Sequence, residues 1–151
     1  MTSRGFDFLE CCPAFVYNEA GIKILDAFYI NGLREGLFTL YSPKGQVIFA
    51  AEFKNDLQHG KTCEYYPSGT LFKEALFVND QKTGEERTYF ENGTLKAVTS
   101  YDHAKEWNAS GVLIYETELK NGLINGRAAK YDDQGTPIFE KHFIDGQPVD
   151  N

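Results

Sequence analysis

The chain has 151 residues, enough for one ordinary domain, with 42% hydrophobic residues and an aromatic share of 15% built from 12 Phe, 9 Tyr and one Trp. A formal charge of −7 lacks the basic footprint that phosphate backbones and anionic lipid demand. It therefore argues against nucleic-acid binding and membrane docking and suits a basic protein partner. Three cysteines, Cys11, Cys12 and Cys63, form neither a disulfide framework nor a Cys-x-x-Cys zinc motif, which points to reduced thiols and a cytoplasmic setting.

Residues 1–16 fit no repeat. They open without a basic stretch followed by an apolar run, so no secretory signal is expected. Phe6, Phe8, Leu9 and Phe15 are expected to cap the open end of a repeat array that begins at residue 17. Pro13 suits an edge, and Cys11 and Cys12 read as small apolar cap residues. No segment of the chain is apolar over the length of a membrane-spanning helix.

From residue 17 to 151 the chain repeats. Gly21, Gly45, Gly69, Gly93, Gly111 and Gly135 step by 24, except for one step of 18. Four residues before each stands an aromatic: Tyr17, Tyr41, Tyr65, Tyr89, Trp107 and Tyr131. Eight residues after each stands Tyr29, Phe53, Phe77, Tyr101, Leu119 or Phe143, and a second glycine set, Gly36, Gly60, Gly84 and Gly126, keeps the same register. The glycine marks one turn of each unit, where φ must be positive, and Asn31-Gly32, Asn55-Asp56, Asn79-Asp80, Asn121-Gly122 and Asp145-Gly146 mark the other. Each unit is thus two antiparallel strands and two turns. The expected fold is all-β: one elongated, twisted antiparallel meander of repeated β-hairpins, with about eleven or twelve strands.

Alternation along the strands assigns faces. Counted from the turn glycine, positions two, four, six and eight (Val47, Phe49, Ala51, Phe53; Leu71, Lys73, Ala75, Phe77) are expected to carry the core. Positions three, five and seven set an apolar rail, including Ile48, Phe72 and Ile114, beside Glu52, Glu74, Glu116, Glu118 and Glu140. That face is the candidate docking surface for a basic, partly apolar partner. One unit is six residues short, between Tyr101 and Trp107, and Trp replaces Tyr there. A strand should be shortened or lost, with a bend or an exposed edge, and Asp102, His103 and Trp107 are candidate anchors for a partner.

The phrases Tyr65-Tyr66-Pro67-Ser68-Gly69-Thr70-Leu71, continuing through Phe77-Val78-Asn79-Asp80 to Gly84, and Tyr89-Phe90-Glu91-Asn92-Gly93-Thr94-Leu95-Lys96 resemble the variant MORN repeat. The resemblance covers roughly residues 17 to 146 and extends to YwqK-family antitoxins and immunity-type proteins. It implies a MORN-like solenoid that binds a protein partner, such as a toxin, and occludes it. A scaffold or self-associating module is the other role it implies.

No phosphate loop, nucleophile elbow or zincin helix is present, and His59, His103 and His142 are spread along the repeat. His59 and Cys63 are four apart, too little for a metal site, and a regular carboxylate row is what repetition itself produces. The expectation is a non-enzyme with no cofactor or metal, binding a partner through Glu52, Glu74, Glu116, Glu118, Glu140, Phe72, Asp102, His103 and Trp107.

Overall fold

The computed structural model describes residues 11–149, which form one open antiparallel sheet. Its strands are β1 Cys11–Tyr17, β2 Lys23–Ile30, β3 Leu33–Arg34, β4 Gly36–Tyr41, β5 Val47–Lys54, β6 Leu57–Tyr65 and β7 Leu71–Val78. Then come β8 Gln81–Tyr89, β9 Leu95–Thr99, β10 His103–Trp107, β11 Leu113–Lys120, β12 Leu123–Tyr131, β13 Pro137–Ile144 and β14 Gln147–Val149. Neighbours in the chain are neighbours in the sheet, with the two-residue β3 pairing only with β2. Among the described residues no helix is long and apolar enough to cross a membrane.

The fourteen strands of the described residues exceed the eleven or twelve expected, for local reasons. Glu35 separates β3 from β4, Gln147–Val149 adds a short last strand, and residues 11–16 continue the meander as β1. Cys12 stands 24 residues before Gly36 and pairs with Tyr29 as Gly36 pairs with Phe53, so β1 is built on the repeat's own register. Cys11 and Cys12 are exposed there, not packed as apolar plugs. Phe6, Phe8 and Leu9 lie outside the described residues.

Both turn types follow from residue chemistry. At one end, both central residues of the turns at Asn31, Asn55, Asn79, Asn121 and Asp145 have positive φ, including Asn55 (50°), Asp56 (70°), Asn79 (50°) and Asp80 (64°), whereas the short turn after Ser100 has none. Asn and Asp tolerate this conformation best after Gly. At the other end the glycine closes a turn begun three residues earlier. Where that first residue is Asn18, Asn108 or Asp132, its side-chain oxygen accepts two of the turn's amides, for example Ala20 N at 3.0 Å and Ile22 N at 2.9 Å for Asn18.

Each glycine turn is followed by a β-bulge, and the bulge corrects the expected faces. Leu40 pairs with Phe49 but Tyr41 pairs with Val47, which leaves Ile48 as the extra residue. The same slip leaves out Ile24, Phe72, Lys96, Ile114 and Ile138. Position two therefore shares a face with the tyrosine ladder. Lys23, at that position, reaches Asp26 at 2.7 Å and lies over the Phe15 and Tyr41 rings. Position three is the extra residue of the bulge, and Ile114 and Ile138 line a hollow with Glu106, Tyr115, Lys130, Tyr131 and Asp133.

The two sides can be called the phenylalanine face and the tyrosine face. On the first, Phe38 packs edge-to-face on Phe49 and Phe53 at centroid distances of 6.5 and 5.7 Å, and the Arg34 guanidinium stacks 3.9 Å from the Phe53 ring. Its most buried side chains are small, with Ala27, Ala51, Ala75, Thr117 and Ala128 forming a central row. Among the described residues no large side chain is fully buried, because a single sheet has no second layer to cover it.

Candidate functional site

On the tyrosine face the carboxylates are held by the sheet itself. The Tyr89 hydroxyl donates to Glu74 Oε1 at 2.6 Å, and Lys61 Nζ lies 2.6 Å from Glu74 Oε2. Two units further on, the Tyr131 hydroxyl donates to Glu116 Oε1 at 2.6 Å, Arg127 pairs with the same carboxylate, and Lys105 Nζ stands 3.5 Å away. Lys61 and then Tyr89 hold the Glu74 carboxyl below the usual carboxylate range, as Tyr131 and then Arg127 do for Glu116. Arg127 also donates to Glu140 Oε2 at 3.0 Å.

Glu52 and Glu118 do something different. The Oε2 of Glu118 accepts the Arg127 amide at 3.2 Å and lies where a side chain on Gly126 would have to begin, 1.9 Å from the ideal Cβ position. Glu52 lies over Gly60 in the same way, 2.1 Å from that position. Two members of the second glycine ladder, Gly60 and Gly126, thus make room for a carboxylate of the preceding strand, while Gly36 and Gly84 face open space. The five glutamates named from sequence share one face, as expected. They are not a row of free charges, since Glu74 and Glu116 are engaged from within and their side chains are only 17% and 19% exposed. Phe72 is not beside them. As a bulge residue it packs on Tyr66, ring centroids 5.1 Å apart.

The six-residue deletion shortens both strands and loses neither. Strands β9 and β10 have five residues each and remain paired to β8 and β11, so the sheet runs through without an exposed edge. Ser100 closes the short turn, its Oγ accepting the amides of Asp102 at 3.3 Å and His103 at 3.1 Å. Ser100, Asp102 and His103 are the residue types of a hydrolytic triad, but the serine and the aspartate both meet the same ring nitrogen, Nδ1, at 2.9 and 2.7 Å. A proton relay needs them on opposite nitrogens, so this is turn capping. Ser100 and then His103 hold the Asp102 carboxyl low.

His103 Nε2 lies 3.6 Å from Glu85, which also receives Arg87 at 2.6 Å. His103, Arg87 and Lys105 border an open groove of about 440 Å³ whose apolar wall is Tyr89, Val98 and Trp107. Three residues of this groove, Arg87, Val98 and Lys105, escape a motif search. The signal that finds them is a comparison of two ladders. Position five reads Asp26, Ala50, Glu74, Val98, Glu116, Glu140, and the following aromatic reads Tyr41, Tyr65, Tyr89, Trp107, Tyr131. Where the carboxylate becomes valine, the tyrosine hydroxyl is gone too. His59 meets Asn79 instead of Cys63, Nδ1 to Oδ1 3.2 Å, and Cys63 is buried. Among the described residues no group of three or more His, Cys, Asp and Glu is placed to hold a metal ion.

Three consecutive segments, residues 34–55, 58–79 and 82–103, match the MORN repeat variant. They start 24 residues apart, each beginning beside an Asn-type turn, and the third ends at His103 inside the shortened hairpin. No curated protein matches the chain.

Proposed function

We propose that the chain is a protein-binding repeat module whose contact surface is the tyrosine face. The observation that carries this reading is the exposed apolar relief on that face: Phe28, Leu33, Leu37, Leu57, Leu76 and Val78 stand open on the strands from β2 to β7. Register supports their grouping, since Leu37 pairs with Glu52, and Leu76 with Lys61, on that side of the sheet. Concentrated exposed apolar area on an otherwise polar surface is the usual mark of an interaction site. Because Glu74 and Glu116 are satisfied internally, a partner meets apolar side chains without having to desolvate unpaired carboxylates. The repeat type is consistent with binding and calls for no catalysis.

Within this reading the module is of the antitoxin or immunity kind and acts in the cytoplasm, binding a toxin and covering its working surface. The net charge of −7 steers a basic partner over distance, while the apolar face makes the contact. Co-expression with the product of the adjacent gene tests it: the partner should co-purify and lose its toxicity, and a harmless or non-binding neighbour would retire the toxin version. The second reading is a scaffold in which two copies meet through the same apolar face. Sedimentation at increasing concentration decides between them, since a strict monomer removes self-association.

A further inference from the structure

Resting on that reading, we propose that the groove at the shortened unit receives one carboxylate side chain of the partner protein, held between Arg87 and Lys105 above Val98 and beside Trp107. In the units around it, position five is an internal carboxylate among cations, Glu74 with Lys61 and Glu116 with Arg127 and Lys105, each also accepting a tyrosine hydroxyl. At the shortened unit both members of that hydrogen bond are replaced, by Val98 and Trp107, but the cations remain. Arg87 and Lys105 are the direct cross-strand partners of Val98 on its two sides. Cross-strand neighbours lie roughly 5 Å apart at Cβ, so the two cations rise on either side of a gap about 10 Å wide. The surrounding units fill such a gap with a carboxylate, and here none of the described residues does.

The charges already present do not fill it. Glu85 draws on Arg87 from the side and is shared with His103, while Glu74, the cross-strand partner of Arg87 away from Val98, is occupied by Lys61 and Tyr89. Lys105 reaches Glu116 only at 3.5 Å, and Glu116 is occupied by Tyr131 and Arg127. The groove lining therefore holds two fixed cations against one carboxylate, on a chain whose net charge is −7. One further carboxylate balances it. The indole of Trp107 and the Tyr89 ring wall the groove, so the acidic residue should be flanked by an aromatic or aliphatic one.

Trp107 is the chain's only tryptophan and reports on the groove directly. Its emission is titrated with N-acetyl-Phe-Glu-amide and with N-acetyl-Phe-Gln-amide. The proposal requires a saturable change with the first, weakened about tenfold with the second, the worth of one charge-assisted bond. Val98→Glu supplies the missing carboxylate from within and should abolish the response while leaving the urea midpoint at or above the parent value. Should that variant not fold, Lys105→Gln serves and should weaken the response by a similar factor. Equal affinity for the two peptides, an unchanged Val98→Glu titration, or a response to phosphatidylserine vesicles but not to the glutamate peptide overturns the proposal. A partner that co-purifies equally with the parent and Val98→Glu retires the groove but leaves the binding module standing, whereas the absence of any partner retires the module itself.

Discussion

The Tyr131 hydroxyl and the Arg127 guanidinium converge on one carboxylate, Glu116, and that meeting makes stability depend on pH. Both Glu116 and Glu74 have carboxyl groups held low in the folded chain. A depressed carboxyl contributes stability that is complete above its unfolded value, about 4.3, and is lost as pH falls through the folded value. Urea midpoints should therefore hold steady from pH 7 to 5 and drop below pH 4, and a midpoint insensitive to acid would contradict the pairing. Tyr131→Phe removes one hydrogen bond to a charged acceptor and should lower stability by about 1.5 kcal/mol at pH 7 while shrinking the acid loss. Glycine has two different roles that substitution can separate. Gly93 and Gly126 both have positive φ, 84° and 115°, but only at Gly126 would a new Cβ meet a carboxylate. Gly126→Ala should cost roughly 2 kcal/mol and Gly93→Ala about half that, as read by chemical denaturation.

At the scale of strands and turns, the shortened hairpin stands on one hydroxyl. Ser100→Ala removes the acceptor for two turn amides and should cost about 1 kcal/mol, with hydrogen exchange accelerated at His103 and unchanged in the β6–β7 hairpin. The turns and strands were largely legible in the sequence, since a glycine with an aromatic four residues earlier, repeated at one period, leaves little choice of hairpin. The faces were legible only in part. Position two and position three are both apolar in most units, as in Val47-Ile48 and Leu71-Phe72, so alternation alone cannot reveal that one of them is an extra residue. Alternation shows the face of the carboxylates but not that Glu74 and Glu116 are engaged, because the hydroxyl that holds each of these two comes from 15 residues further along the chain. The groove was hidden for a related reason: Val98 and Trp107 are unremarkable singly and mean something only as a pair that departs from the pattern together.

Over the whole molecule, contacts are between adjacent strands, and stability should grow with repeat number. Deleting residues 45–68, one full period from a turn glycine to the residue before the next, preserves every pairing and should leave a folded, less stable sheet. Deleting only residues 45–56 joins a glycine-turn half to an Asn-turn half and should abolish the cooperative transition followed by circular dichroism. A short variant as cooperative as the parent would show that the period is not the folding unit. The natural loss of six residues is tolerated because an even number keeps alternate side chains on their faces.

A surface made of like units has a weakness that the shortened hairpin removes. Two strands advance the pattern by roughly 9.5 Å, so a partner that fits one unit also fits the next, displaced by that distance. With six glycine turns there are about as many such positions, and choosing among them at random costs affinity little but leaves the complex without a defined alignment. The single short hairpin, with its groove at Trp107, breaks that translational degeneracy as a misplaced mark on a ruler does. It gives the sheet an origin from which a bound partner can be positioned.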